Sequence, residues 1–149
     1  MASLEISTEI SAPAKLVSAF FVPQRMPYWY GSEMASCFEV AGGEPDFATG
    51  QKVRITGKLG ARAVALTVVI VRYEFGKILE WRFQDAYGVR GLQSWKIVAN
   101  GEGSRVMMRD RYEMPGWIER RFDWIFTRHA VARRDRDYLG RLKRLVERG

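Results

Sequence analysis

The amino-acid sequence predicts an α+β fold. A curved antiparallel β-sheet of about six to seven strands, with two short helices after the first strand, grips one long C-terminal α-helix. Three observations carry this expectation. Apolar and polar residues alternate with period two through most of the first 114 residues. Turn-forming Gly, Pro and Asn separate the alternating runs. After Pro115 and Gly116 the period becomes that of an amphipathic helix and stays so to the end.

Each element follows in order. "LEISTEI" sets Leu4, Ile6, Thr8 and Ile10 against Glu5, Ser7 and Glu9, which is a half-buried strand. "SAP" stops it, with Ser11 as a helix cap and Pro13 in the first turn of "AKLVSAFF". Pro23 interrupts that helix, and "PQRMPYWYG" is a second short helical or turn segment ending at Gly31. "ASCFEVAGG" places Phe38 and Val40 on one side, and "GQKVRITGKLG" places Val53, Ile55 and Leu59 on one side. "RAVALTVVIVRYEF" reads as a long strand buried on much of both faces. "KILEWRFQD" sets Leu79, Trp81 and Phe83 against Glu80, Arg82 and Gln84. "NGEGS" then joins two strands as a hairpin. In the second of these, Val106, Met108, Tyr112 and Met114 share a face, with Met107, Arg109, Arg111 and Glu113 on the other. From Trp117 to about Arg148, Ile118, Ile125, Ala132, Leu139 and Val146 recur every seven residues. Arg120, Asp123, Thr127, Arg134, Asp137 and Arg141 cover the far side. That apolar stripe needs a partner, and the concave side of the sheet is large enough to bury it.

Composition sets the limits. With 149 residues, 47% hydrophobic and 13% aromatic, the chain fits one domain, 1–149, with a sizeable core. A single cysteine, Cys37, cannot close an internal disulfide. The start of the chain carries Glu5 and Glu9 and no basic segment before an apolar one, unlike a secretory signal. The longest near-apolar run, residues 63–71, is far short of the roughly 20 a membrane span needs, so a cytoplasmic location is expected. The net charge is +7, and residues 119–149 hold 10 Lys/Arg against 5 Asp/Glu. "RRDRD" interrupts this excess, so a solvated helix face is expected rather than a nucleic-acid interface. Peripheral contact with an anionic surface stays open. One histidine and one cysteine do not make a zinc site, "GEG" sits in a turn, and no serine sits in a nucleophile elbow. No metal and no cofactor are expected.

The arrangement resembles the START-like helix-grip superfamily, which includes polyketide cyclases and dehydrases and lipid-transfer domains. The resemblance covers nearly the whole chain. It rests on "EISTEISAPAKLVSAFF", "MPYWY", "GQKVRITG", "ILEWRF", "SRVMMRDRYEMPG" and the terminal helix. It implies a cavity between sheet and helix that holds a small hydrophobic molecule, and no shared catalytic signature comes with it.

Charged residues on the inward faces are the candidate site. At about 100° per residue, the arc centred on Ile125, Ala132 and Leu139 also contains Arg121, Arg128 and the lone histidine, His129, with Asp135 at its edge. Asp110 lies between Met108 and Tyr112 on the inward face of its strand, where Arg128 or His129 would answer it. Asp85, at a strand end, is a weaker candidate. Two readings stand. Asp110 or His129 transfers protons while Arg128 and Tyr112 hold a carbonyl or enolate oxygen, as aldol-type cyclisation and dehydration would need. Alternatively they form a satisfied ion pair fixing helix to sheet. Tyr28, Trp29, Trp81, Phe83, Trp95, Met108, Tyr112, Ile125 and His129 are the candidate ligand contacts, although ordinary core packing uses the same residue types. "PYWYG" suits a lid or packing of the short helices on the sheet rim. Glu80, Arg82, Arg109, Arg111 and Glu113 are expected to make cross-strand charge pairs on the solvent face.

Overall fold

The computed structural model of the chain describes residues 2–114, 116 and 124–148, with side chains in the last segment described from His129 onward. Seven strands form one antiparallel sheet: β1 (Ala2–Ile10), β2 (Cys37–Val40), β3 (Lys52–Leu59), β4 (Arg62–Glu74), β5 (Ile78–Asp85), β6 (Arg90–Asn100) and β7 (Gly103–Glu113). Their order across the sheet is β1-β7-β6-β5-β4-β3-β2, so every neighbouring pair except β1 and β7 is also consecutive in sequence. The five-residue helix α1 (Ala14–Ser18) follows β1, and the 25-residue helix α2 (Trp124–Arg148) ends the chain. Residues expected to begin the long helix before Trp124 lie outside the described residues.

Three local expectations need correction. Pro13, not Ser11, stands at the start of α1, and no side chain among the described residues caps it. The Ser11 amide instead donates to Glu147 Oε2 at 3.1 Å, tying the start of the chain to the end of α2. The second short helix is two 3₁₀ turns, Met26–Tyr28 and Ser32–Met34, because Gly31 takes a left-handed φ of 67° between them. The long apolar strand β4 is not closed on both faces: Val68 and Ile70 are buried, Val69 and Val71 are half-buried and Thr67 is exposed. A register shift between Ile70 and Arg72 changes its phase, so that Tyr73 pairs with Leu79. Such a bulge bends the strand and helps the sheet curve.

The core lies on the concave side, under α2 and α1. Val53, Ile55, Val68, Ile70, Leu79, Trp81, Trp95, Val106 and Met108 supply it from the strands, and Ala132, Tyr138, Leu139, Leu142 and Val146 from α2. Ala132, Leu139 and Val146 are the heptad positions that the sequence pattern marks as buried. Each fully buried large side chain contributes roughly 1.5–3 kcal/mol. Trp29, Trp81 and Trp95 are fully enclosed and meet edge-on, with ring centroids 4.8 Å apart for Trp81 and Trp95 and 6.0 Å for Trp29 and Trp95.

Candidate functional site

Strand register builds the site. Leu4, Asp110, Gln93, Trp81 and Ile70 stand side by side across β1, β7, β6, β5 and β4 on the concave face. Two polar groups therefore sit within an apolar row, and both are buried: Asp110 is 1% exposed and Gln93 2%. Burial of unpaired polar groups is costly, and each of these has partners. Gln93 Oε1 accepts from the Tyr30 hydroxyl and from Trp81 Nε1, both at 2.9 Å. Its Nε2 donates to Asp110 Oδ2 at 3.3 Å. Two donors on one side and a carboxyl on the other fix which way the amide points.

Helix α2 closes the network from above. Arg134 Nη2 donates to Asp110 Oδ2 and to Asp135 Oδ1, each at 3.2 Å. The Arg134 guanidinium lies 5.9 Å from the Tyr138 ring, and the Tyr138 hydroxyl donates to Glu33 Oε1 at 2.5 Å. Arg134 is 42% exposed while both aspartates are closed off, so it reaches them from the rim of the site. A cleft of about 280 Å³ between α2 and the Ser32–Met34 turn opens onto Glu33, Arg134 and Tyr138.

The two aspartates are chemically distinctive. Asp110 Oδ1 and Asp135 Oδ2 are buried with no hydrogen-bond donor among the described residues. The two carboxyls lie within hydrogen-bonding reach of each other. Burial pushes the Asp135 carboxyl up to about 8; Arg134 opposes the rise, and the adjacent Asp110 adds to it. A proton on Asp135 would let one carboxyl donate to the other. Burial likewise raises the Tyr30 and Tyr138 phenols, so both remain hydrogen-bond donors.

The expected site residues divide. Asp110 points inward as the alternation predicts, with Tyr112 buried two residues away on the same face. His129 does not: it is exposed on α2, and Arg134 answers Asp110 in its place. Asp135 is central rather than peripheral, being fully buried. The buried line of α2 runs through Ala132, Asp135, Tyr138, Leu139 and Leu142, and His129 falls outside it. The Arg121, Arg128 and Ile125 side chains lie outside the described residues. Tyr28 is 68% exposed, so of the "PYWYG" aromatics only Trp29 and Tyr30 turn inward. Trp29, Trp81, Trp95 and Met108 are packed core, and Phe83 faces inward but stays part-exposed. Asp85 caps the β5–β6 turn, accepting from the Tyr87 and Val89 amides at 2.9 Å each.

Sequence reasoning did not single out Gln93 or Glu33, took Tyr30 only as part of the "PYWYG" lid, and placed Arg134 on the far side of the helix, whereas its guanidinium reaches Asp110 and Asp135. For Gln93 the pattern was present, since it shares the phase of Trp95 and Ile97 in "LQSWKIV". For Tyr30 the aromatic cluster "PYWYG" was the signal, and for Glu33 there was none, because it reaches the site from irregular backbone.

A family described as polyketide cyclase/dehydrase and lipid transport matches residues 1–147. Solved structures share the fold. A protein from Chromobacterium violaceum is 15% identical with a TM-score of 0.73, 99% of each chain being covered. Ara h 8.0201 is 10% identical with a TM-score of 0.77 over 99% of each chain. DynU16, a protein of the dynemicin biosynthetic locus, is 18% identical with a TM-score of 0.70, covering 97% of this chain and 47% of that one. Curated protein sequences give no match.

Proposed function

The chain belongs to the polyketide cyclase/dehydrase and lipid transport family, and we propose from that premise that it binds a small hydrophobic or aromatic molecule, lipid-like or polyketide-like, between the concave sheet and α2. The observation that carries the reading is an unsealed apolar stretch of the concave face beside a buried polar cluster. Leu66 and Phe83 share the inward face yet stay part-exposed, while Ile55 opposite Leu66, Val68 opposite Phe83, and Trp81 are closed. A ligand's apolar body would cover that stretch. Trp95 Nε1 is a buried donor without an acceptor among the described residues, and a ligand oxygen would satisfy it.

Native mass spectrometry of the recombinant full chain tests this. A small apolar molecule is expected to co-purify. After extraction, the neutral dye N-phenyl-1-naphthylamine should bind, and Phe83→Ala should weaken that binding about tenfold, roughly 1.4 kcal/mol. A chain that retains nothing and takes up no dye ends the reading.

One observation favours chemistry as a second reading. A carboxyl raised to about 8 next to a second carboxyl is suited to proton transfer near neutral pH. In a cyclase or dehydrase of a polyketone, Asp135 would give up the proton and Arg134 would steady the oxygen that gains charge. Turnover should then fall as pH rises through about 8. Asp135→Asn should lower it by roughly 10²-fold or more with the fold retained. Wild-type turnover in that variant would sink this second reading.

A further inference from the structure

The solvent face of the same sheet carries a groove of about 940 Å³, lined mostly by outward-facing residues and reaching Phe83 at its edge. Its floor and walls come from β3 to β7. Val69, Arg82, Leu92 and Arg111 stand opposite one another across β4, β5, β6 and β7, so apolar and cationic residues alternate across four strands. In the adjoining row, Arg54, Thr67, Gln84, Arg90 and Glu113 stand in line. Val69 and Leu92 are half-buried although they face solvent, as expected where arginine stems lie along them.

The charge arrangement here differs from the rest of that face. Elsewhere the arginines have acidic partners: Arg105 pairs with Glu9 at 2.5 Å and Arg109 with Glu5 at 3.3 Å. Within the groove, Arg90 pairs with Glu113 at 3.5 Å. Arg54, Arg82 and Arg111 make no ion pair among the described residues. The register gives the reason for two of them. Arg82 faces Val69 and Leu92, and Arg111 faces Leu92 and Ser3, so neither meets an acid. Arg54 has Glu39 opposite it on β2, without ion-pair contact. The cross-strand pairs expected of Arg82 and Arg111 are therefore not formed. With strands roughly 4.8 Å apart, Arg82 and Arg111 stand about 10 Å apart with no counter-charge between them.

We propose that this groove binds a small amphipathic organic anion, its apolar body on Val69 and Leu92 and its carboxylate or phosphate on Arg82 and Arg111. The size lies within the range of small-molecule sites, roughly 300–1,000 Å³. Guanidinium groups suit the ligand, because their paired donors match the two oxygens of an oxyanion. An occupant of this kind would relieve the repulsion among the unpaired arginines and cover the half-buried aliphatic floor.

Methyl and amide NMR of the full chain, titrated with 2-naphthoate, 1-naphthyl phosphate and the neutral 2-naphthalenemethanol, tests the proposal. Both anions should perturb Val69, Thr67 and Leu92, and more weakly as salt is raised. The alcohol should leave those positions alone. The Arg82→Gln/Arg111→Gln double variant should weaken anion binding at least tenfold. Arg72→Gln, an exposed arginine paired with Glu74 outside the groove, should not. Three outcomes overturn it: no binding, affinity unchanged in the double variant, or anion-induced shifts confined to concave-face residues such as Ile55 and Trp81. Capture of the chain on phosphatidylglycerol vesicles through the same arginines, with no response to the soluble anions, also overturns it. Dye binding inside the grip is a separate measurement, so either proposal fails without the other.

Discussion

Asp135 decides how the polar cluster behaves with pH. Its carboxyl is raised to about 8 in the folded chain, chiefly by burial, against roughly 3.9 in an unfolded one. A raised pKa means that the folded state holds the proton more tightly. Its contribution is complete below about pH 4 and is lost as the pH climbs toward 8. Urea unfolding between pH 5 and 9 should therefore show stability falling with pH, by an amount on the order of a few kcal/mol. Asp135→Asn mimics the protonated form and should flatten that slope. An unchanged slope in the variant would mean that Asp135 carries no proton in the fold. His129 stands in contrast. It is exposed, so His129→Ala should change stability by less than about 0.5 kcal/mol.

At the scale of elements, the sheet is held in register by close approaches as well as by hydrogen bonds. Gly91 on β6 is the sharpest case. A Cβ there would fall 1.9 Å from the Arg111 carbonyl oxygen and 2.8 Å from Tyr112 Cα, both backbone atoms of β7. Backbone cannot swing aside as a side chain can, so Gly91→Ala should prise β6 from β7 beside Asp110. A loss of about 3 kcal/mol or more is expected, read as a lower urea midpoint. Gly57 on β3 has the same role toward Met34, whose carbonyl oxygen would lie 2.6 Å from an added Cβ. Helix α2 is fastened at its end by exposed contacts: Lys143 Nζ donates to the Glu9 carbonyl at 2.6 Å and to Glu147 at 2.9 Å. Those exposed contacts contribute little, and its buried row contributes most.

For the whole molecule, one sheet separates two faces of opposite character. The concave face holds the aromatic core and the aspartate pair; the solvent face holds the arginine groove. Phe83 is the one residue named for both faces, reaching the concave face and the edge of the groove, and the charged contacts of the groove are otherwise separate, so the two effects should nearly add. A neutral dye and 2-naphthoate, each at about 100 times its dissociation constant, should each stabilise the fold by roughly 2.7 kcal/mol, and together by the sum. A combined effect far from that sum would mean that the two ligands compete or that the sheet couples them. No helix among the described residues is long and apolar enough to cross a membrane.

The alternation in β1, β3, β5 and β7 and the seven-residue repeat in α2 determined the architecture. Both periods follow from backbone geometry, which a single sequence records. They also put Asp110 on the inner face. What answers Asp110 was decided by tertiary structure. Along α2, Arg134 lies beside Asp135 and outside the apolar stripe, and only the docking angle of the helix brings its guanidinium over β7. Tyr30 enters from a loop whose path depends on Gly31, and Gln93 meets Asp110 only once β6 and β7 pair. The cationic groove depended on packing in the same way. Its arginines are scattered from residue 54 to residue 111, and alternation marks them as outward-facing without showing which acids lie out of reach. Periodicity encodes which face a residue takes; which side chains meet across that face depends on distances that only the packed chain sets.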